Sequence, residues 1–193
     1  MRSLSGLTVR SPKLTGPRGL WRELVIDLVL ILVVYLGAIL TLGHFQVVGR
    51  SMFPNLVEGQ HLLVDRVTPR LGLLGRGDIV VIDPVAGLDH DLVKRVIGLP
   101  GETVAIVNGV VQINGRPLDE PYAAGYLGSD HTWQLGQDVY FLMGDNRGAS
   151  SDNRAWGPLA RGHVMGRAFA VIWPLSAAHW VDRPGYLSEL PRP

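Results

Sequence analysis

AIVNGVVQING, residues 105–115, decides how this chain folds. Two apolar, β-branched runs flank Asn108-Gly109. Both central residues of a type I′ turn need positive φ, and Asn-Gly tolerates that best. The stretch reads as a β-hairpin. The same texture continues to either side in FQVVG (45–49), HLLVDRV (61–67), DIVVIDP (78–84), LVKRVIG (92–98), VYFLM (139–143) and GRAFAVIWP (166–174). These runs are short, β-branched and bounded by turn residues. With 24 Gly and 13 Pro among 193 residues, short strands are favoured over long helices. The expected fold class is mainly β, a compact antiparallel β domain over residues 44–193. Residues 117–137 read as a looser insertion or flap, and no internal repeat is visible.

Before this domain the pattern changes. Leu24 to Gly43 reads LVIDLVLILVVYLGAILTLG, with Asp27 its only charge. At about 1.5 Å per residue it spans roughly 30 Å as a helix, the thickness of a hydrocarbon core. A buried core helix would carry a polar stripe, and a cleavable signal peptide would have a shorter apolar run and a small-residue cleavage site. The expectation is one transmembrane helix over 24–43. Ahead of it, Arg2, Arg10, Lys13, Arg18 and Arg22 face Glu23 alone. By the positive-inside rule, residues 1–23 are a cytoplasmic basic tail and residues 44–193 lie outside the cell membrane. A net charge of +1 gives no field for nucleic acid. The absence of Cys excludes disulfides, thiol nucleophiles and Cys-ligated metals.

Four stretches carry the candidate chemistry: Ser51-Met52-Phe53-Pro54, Arg76-Gly77-Asp78, Leu92 to Glu102, and Gly144-Asp145-Asn146-Arg147 followed by Ser150, Asp152 and Arg154. Lys94 is the unusual one. Strand alternation puts it on one face with Leu92 and Val96. It is either an edge-strand lysine that blocks edge pairing or a desolvated amine. Burial lowers a lysine pKa by up to several units, and a neutral amine is a competent general base for a serine hydroxyl. Spacing alone leaves both readings open, and Ser51 alone reads equally as a turn residue. None of the six histidines sits in an apolar strand motif, and no HExxH or comparable metal-ligand spacing occurs, so no metal is expected.

Taken together, SMFP (51–54), KRVIGLPGE (94–102) and GDNRGASSDNRAWG (144–157), in this order behind one N-terminal helix, resemble the type I signal peptidase (leader peptidase) family over about residues 44–173. The resemblance implies Ser51 as nucleophile and Lys94 as general base. Ser150 corresponds to the serine that orients the lysine, Asp152 and Arg154 to a pair supporting that loop, and Asp145 and Asn146 to the motif's structural acid and amide. The Ser51 N–H corresponds to an oxyanion donor. A substrate strand would add beside Val47, Val48 and Gly49 and beside Leu92–Lys94. Val47, Met52, Leu56, Leu92 and Val93 would line shallow pockets for small side chains. Implied partners are exported preproteins with Ala-X-Ala signal peptides and the membrane lipid; no cofactor is implied. The chain departs from the family pattern at Gly49, where Ser or Thr is common, at Leu92 for Tyr, and at Gln60 and Asn153 for Asp and Ser. Two other readings compete. A self-cleaving Ser/Lys regulator of the SOS-repressor type would want an N-terminal DNA-binding domain and no membrane helix. A non-catalytic anchored β-domain binding secretory proteins would not need Ser51 or Lys94.

Overall fold

The computed structural model describes residues 17–84, 90–181, 183 and 184. Most of the expected basic tail lies outside them. The chain divides into two units, residues 1–39 and 40–193.

The first unit holds most of helix α1, Pro17–Thr41. It begins at Pro17, a residue suited to the first helical position, seven residues before the expected membrane segment at Leu24. Leu20–Thr41 is 22 residues of high hydropathy with none of it buried in the protein. At about 33 Å it is long and apolar enough to cross a bilayer by length and composition.

The second unit is antiparallel β structure. Its strands are β1 (Leu42–Gln46), β2 (His61–Asp65), β3 (Ile79–Ile82), β4 (Leu92–Gly98), β5 (Thr103–Val107), β6 (Val110–Ile113), β7 (Arg116–Pro117), β8 (His131–Gln134), β9 (Val139–Met143), β10 (Leu159–Ala160), β11 (Val164–Trp173) and β12 (His179–Trp180). One-turn helices α2 (Val67–Arg70) and α3 (Asn153–Trp156) punctuate them. The larger sheet runs β1-β2-β11-β3-β4-β9-β10, with β12 on β11; the smaller runs β7-β6-β5-β8. β1 starts directly at Leu42, so the expected helix end at Gly43 is instead strand. Gly43 lies opposite Val64, and a Cβ there would come within 2.9 Å of the Val64 side chain.

Asn108 and Gly109 take φ 50° and 73°, so the opening hairpin closes as its sequence requires, with Val107 opposite Val110. Asn114-Gly115 repeats the device at φ 52° and 77° between β6 and β7. The expected flap is partly strand: β8 pairs β5, and Leu118, Tyr122 and Leu135 are buried against Ile106 and Phe141. A second cluster gathers Val47, Met52, Leu56, Leu62, Val93 and Val171. A third, around Val80, Ile82, Val96 and Leu142, takes Leu92 against it.

Three buried ion pairs at 2.6 Å each brace the loops: Arg95 of β4 holds Asp145, while Arg76–Glu102 and Arg147–Glu120 join loop to loop. Removing one partner of such a pair leaves a buried charge and costs about 3–5 kcal/mol. They hold the loops that follow β4 and β9 in a single arrangement.

Candidate active site

Lys94 sits in the middle of β4, opposite Val80 of β3. It is 1% exposed and is the largest fully buried side chain among the described residues. Burial is the main influence on its amine, and it lowers the pKa from 10.5 to about 8. Asp152 and Asp145 push back upward, and Arg154 adds to the depression. The edge-strand reading of Lys94 does not survive: a lysine that blocks edge pairing is solvated, and Lys94 is 1% exposed.

Only half of β4 is paired on both sides. Its ladder with β9 covers Arg95, Val96 and Gly98, while Leu92–Lys94 pairs with β3 alone. Ser51 stands on the side left open. Its hydroxyl lies 3.4 Å from the carbonyl of Val93. That is long for a hydroxyl hydrogen bond, so the proton is weakly held there. The Ser51 carbonyl accepts the backbone N–H of Asn146 at 2.9 Å. The Ser51 N–H donates to no acceptor among the described residues.

The loop after β9 completes the neighbourhood. Gly144 is buried between two groups: a Cβ on it would fall 2.3 Å from Ser150 Oγ and 2.5 Å from the Ser51 carbonyl oxygen. Only glycine lets Ser150 and the Ser51 turn approach this closely. Ser150 Oγ is buried without a well-formed hydrogen bond, though it is near enough to Asp152 to help hold that carboxyl low. Burial alone would raise the Asp152 pKa; Arg154 and the Gly144 N–H outweigh it and lower it. Asp152 receives Arg154 Nε at 2.8 Å and the Gly144 N–H at 3.0 Å. Arg154 also donates to the Arg147 carbonyl at 2.7 Å. Asp145 is clasped by Arg95 through Nε at 2.7 Å and a terminal nitrogen at 2.6 Å, and accepts the Asn55 amide at 2.9 Å. The Asn146 amide donates to the Arg50 carbonyl at 3.2 Å. Arg50 enters through its backbone only.

Val47, Met52, Leu56 and Val93 form one buried apolar wall beside Ser51. Leu92 does not join it. Neighbours on a strand face opposite ways, and Leu92 packs against the third cluster. Val48 is 60% exposed, and Gly49 bends at φ 79°, a conformation that a Ser or Thr side chain disfavours. Gln60 and Asn153 are structural. Gln60 accepts the Val57 N–H at 2.9 Å, and the Asn153 amide ties the Leu142 N–H to the Gly157 carbonyl.

Sequence reasoning missed the partners that fix this site. Arg95, on the face of β4 opposite Lys94, is buried, pairs with Asp145 and lies 4.3 Å from the centre of the Tyr122 ring. Asn55 and Glu120 carried no signal beyond being polar. Among the described residues no group of three or more His, Asp or Glu is placed to hold a metal.

A family model described as signal peptidase, peptidase S26, matches residues 21–173. The probable signal peptidase I-2 of Synechocystis sp. is 34% identical over 184 residues, covering 92% of this chain and 82% of that protein. The signal peptidase I of Leptolyngbya laminosa is 37% identical over 136 residues, covering 65% of this chain and 66% of that protein. A crystal structure of a signal peptidase I from Enterococcus faecalis aligns with a TM-score of 0.44 at 31% identity, over 49% of this chain and 95% of that one. The chain belongs to the signal peptidase family, peptidase S26.

Proposed function

We propose that this protein is a membrane-anchored serine endopeptidase that removes N-terminal signal peptides from exported preproteins, with Ser51 as nucleophile and Lys94 as general base. The observation that carries the assignment is a lysine 1% exposed, its pKa lowered to about 8, one residue from the carbonyl that Ser51 Oγ touches. A neutral amine takes the hydroxyl proton as Oγ attacks the scissile carbonyl. The Ser51 N–H, free of an internal acceptor, faces the developing oxyanion. The protonated lysine then gives its proton to the leaving amine. In the second half the same amine activates the water that hydrolyses the acyl-enzyme. Ser150, buried beside Gly144 and short of a hydrogen bond of its own, orients the amine; Asp152–Arg154 and Asp145–Arg95 hold the loop that presents it.

The substrate chain adds as a strand along the open edge of Leu92–Lys94, with Val48 and Gly49 on its other side. Its side chains one and three before the cut face the wall of Val47, Met52, Leu56 and Val93, which favours Ala-X-Ala. Residues 1–23 are cytoplasmic, the apolar helix spans the cytoplasmic membrane, and the domain from residue 44 acts outside. The test is cleavage of a preprotein by the full chain in detergent. Ser51→Ala and Lys94→Met each abolish it while the domain stays folded, and the double variant is no worse than either single one. Substantial cleavage by either variant removes that residue from the mechanism.

A further inference from the structure

A second concave site lies apart from Ser51 and Lys94. It is a cavity of about 630 Å³ whose lining includes Arg66, Arg70 and Arg161 with the single acid Asp138. Three guanidinium groups against one carboxylate leave it net positive. Arg161 meets Asp138 at 3.4 Å in an exposed pair, which is weak. Arg66 and Arg70 have no acidic partner among the described residues. Two glycines make room for these side chains: a Cβ on Gly72 would lie 2.7 Å from an Arg161 terminal nitrogen, and one on Gly43 would lie 2.8 Å from Arg66 Nε.

Position and rim say what this charge is for. The Arg66 N–H donates to the carbonyl of Thr41, the last residue of α1, at 2.9 Å. Around the arginines, Val67, Leu71, Leu73 and Met165 expose apolar side chains, Leu71 and Leu73 by more than 60%. Planar guanidinium groups match phosphate oxygens, and apolar residues beside them suit the boundary between headgroups and acyl chains.

We propose that this cavity binds the phosphate headgroup of an anionic phospholipid, fixing the outer domain against the membrane surface. A free phosphate would gain nothing from the apolar rim or from the tie to the end of α1. The inference rests on the reading of α1 as a membrane helix but not on the Ser51–Lys94 chemistry.

The test titrates the full chain, in a non-ionic detergent, with dioctanoyl phosphatidylglycerol, dioctanoyl phosphatidylcholine and inorganic phosphate, and counts retained adducts by native mass spectrometry. One phosphatidylglycerol is held per chain, and it is preferred over phosphatidylcholine. Arg70→Gln with Arg161→Gln weakens it roughly tenfold or more, since each lost guanidinium removes a charge-assisted contact. Cleavage of a soluble peptide by that variant stays at the wild-type rate, which shows that it is folded. Equal retention of both lipids, or undiminished phosphatidylglycerol in the double variant, overturns the proposal. Inorganic phosphate held as tightly as phosphatidylglycerol shows a free-anion site and overturns the lipid assignment. Loss of peptide cleavage in the unmutated chain with lipid binding intact strikes the peptidase reading instead.

Discussion

Asn146 donates its backbone N–H to the Ser51 carbonyl at 2.9 Å, joining the turn that carries one reactive group to the loop that carries Ser150. Gly144 lies at this junction, with Ser150 Oγ and the Ser51 carbonyl crowding its Cα. Gly144→Ala must push the two serines apart. A destabilisation of about 1–3 kcal/mol follows from overpacking a buried site. A misplacement of about 1 Å costs on the order of 100-fold in rate. Thermal unfolding and peptide-cleavage kinetics on the same sample check both; a variant with wild-type kcat shows that the junction does not position the nucleophile.

Burying Lys94 has a price in stability that the pH dependence exposes. The amine titrates at about 8 in the folded protein against 10.5 as the ordinary value. Between these values the unfolded chain binds more protons, so stability rises with pH across that window. Below it the penalty is constant, on the order of 3 kcal/mol. Lys94→Met is therefore more stable than wild type at pH 7 by up to that amount, and the gap closes towards pH 10.5. Melting of the outer domain in detergent measures it. A less stable Lys94→Met at pH 7 means that the lysine is not penalised by burial.

Much of this was legible in the sequence, for identifiable reasons. Asn108-Gly109 and the apolar run of α1 are local signals, a turn with a backbone requirement and a continuous stretch of one chemistry. Asn114-Gly115 offered the same turn signal and went unused. Leu92 is expected on the pocket wall only from the family resemblance; its packing against the third cluster, apart from Val93, depends on the tertiary fold. Arg95–Asp145 was illegible, because a pair fifty residues apart in sequence is joined only by the return of β9 beside β4.

On the proposed mechanism, specificity is predicted from the cluster of Val47, Met52, Leu56 and Val93, which carries no charge. In an extended substrate the residues one and three before the cut face the same side. Alanine fits both places, and Leu or Phe must displace packed side chains at about 1–3 kcal/mol, tenfold or more in kcat/KM. The middle residue is tolerated. Leu92→Ala leaves this preference unchanged, because Leu92 packs elsewhere. A peptide series with single changes at the three positions decides the matter; equal cleavage after Leu and Ala removes the pocket assignment.

The proposed orientation rests on the charges that flank the helix. Five basic residues precede Leu24 against one acid, which by the positive-inside rule predicts a cytoplasmic N-terminus. A reporter fused after Pro193 that is active only outside the cytoplasm gives signal, and one active only inside does not. The reverse pattern inverts the topology.

The pH dependence of kcat/KM for peptide cleavage by the full chain reaches the central claim most directly, because it reports the free enzyme's essential base. Asp152, its carboxyl held low, stays ionised across this range and so does not account for a fall in rate below pH 8. The account predicts a plateau at alkaline pH and a tenfold fall per pH unit below an apparent pKa of about 8. A rate that stays flat down to about pH 5, far below any pKa a lysine of this kind takes, contradicts a neutral Lys94 as the base.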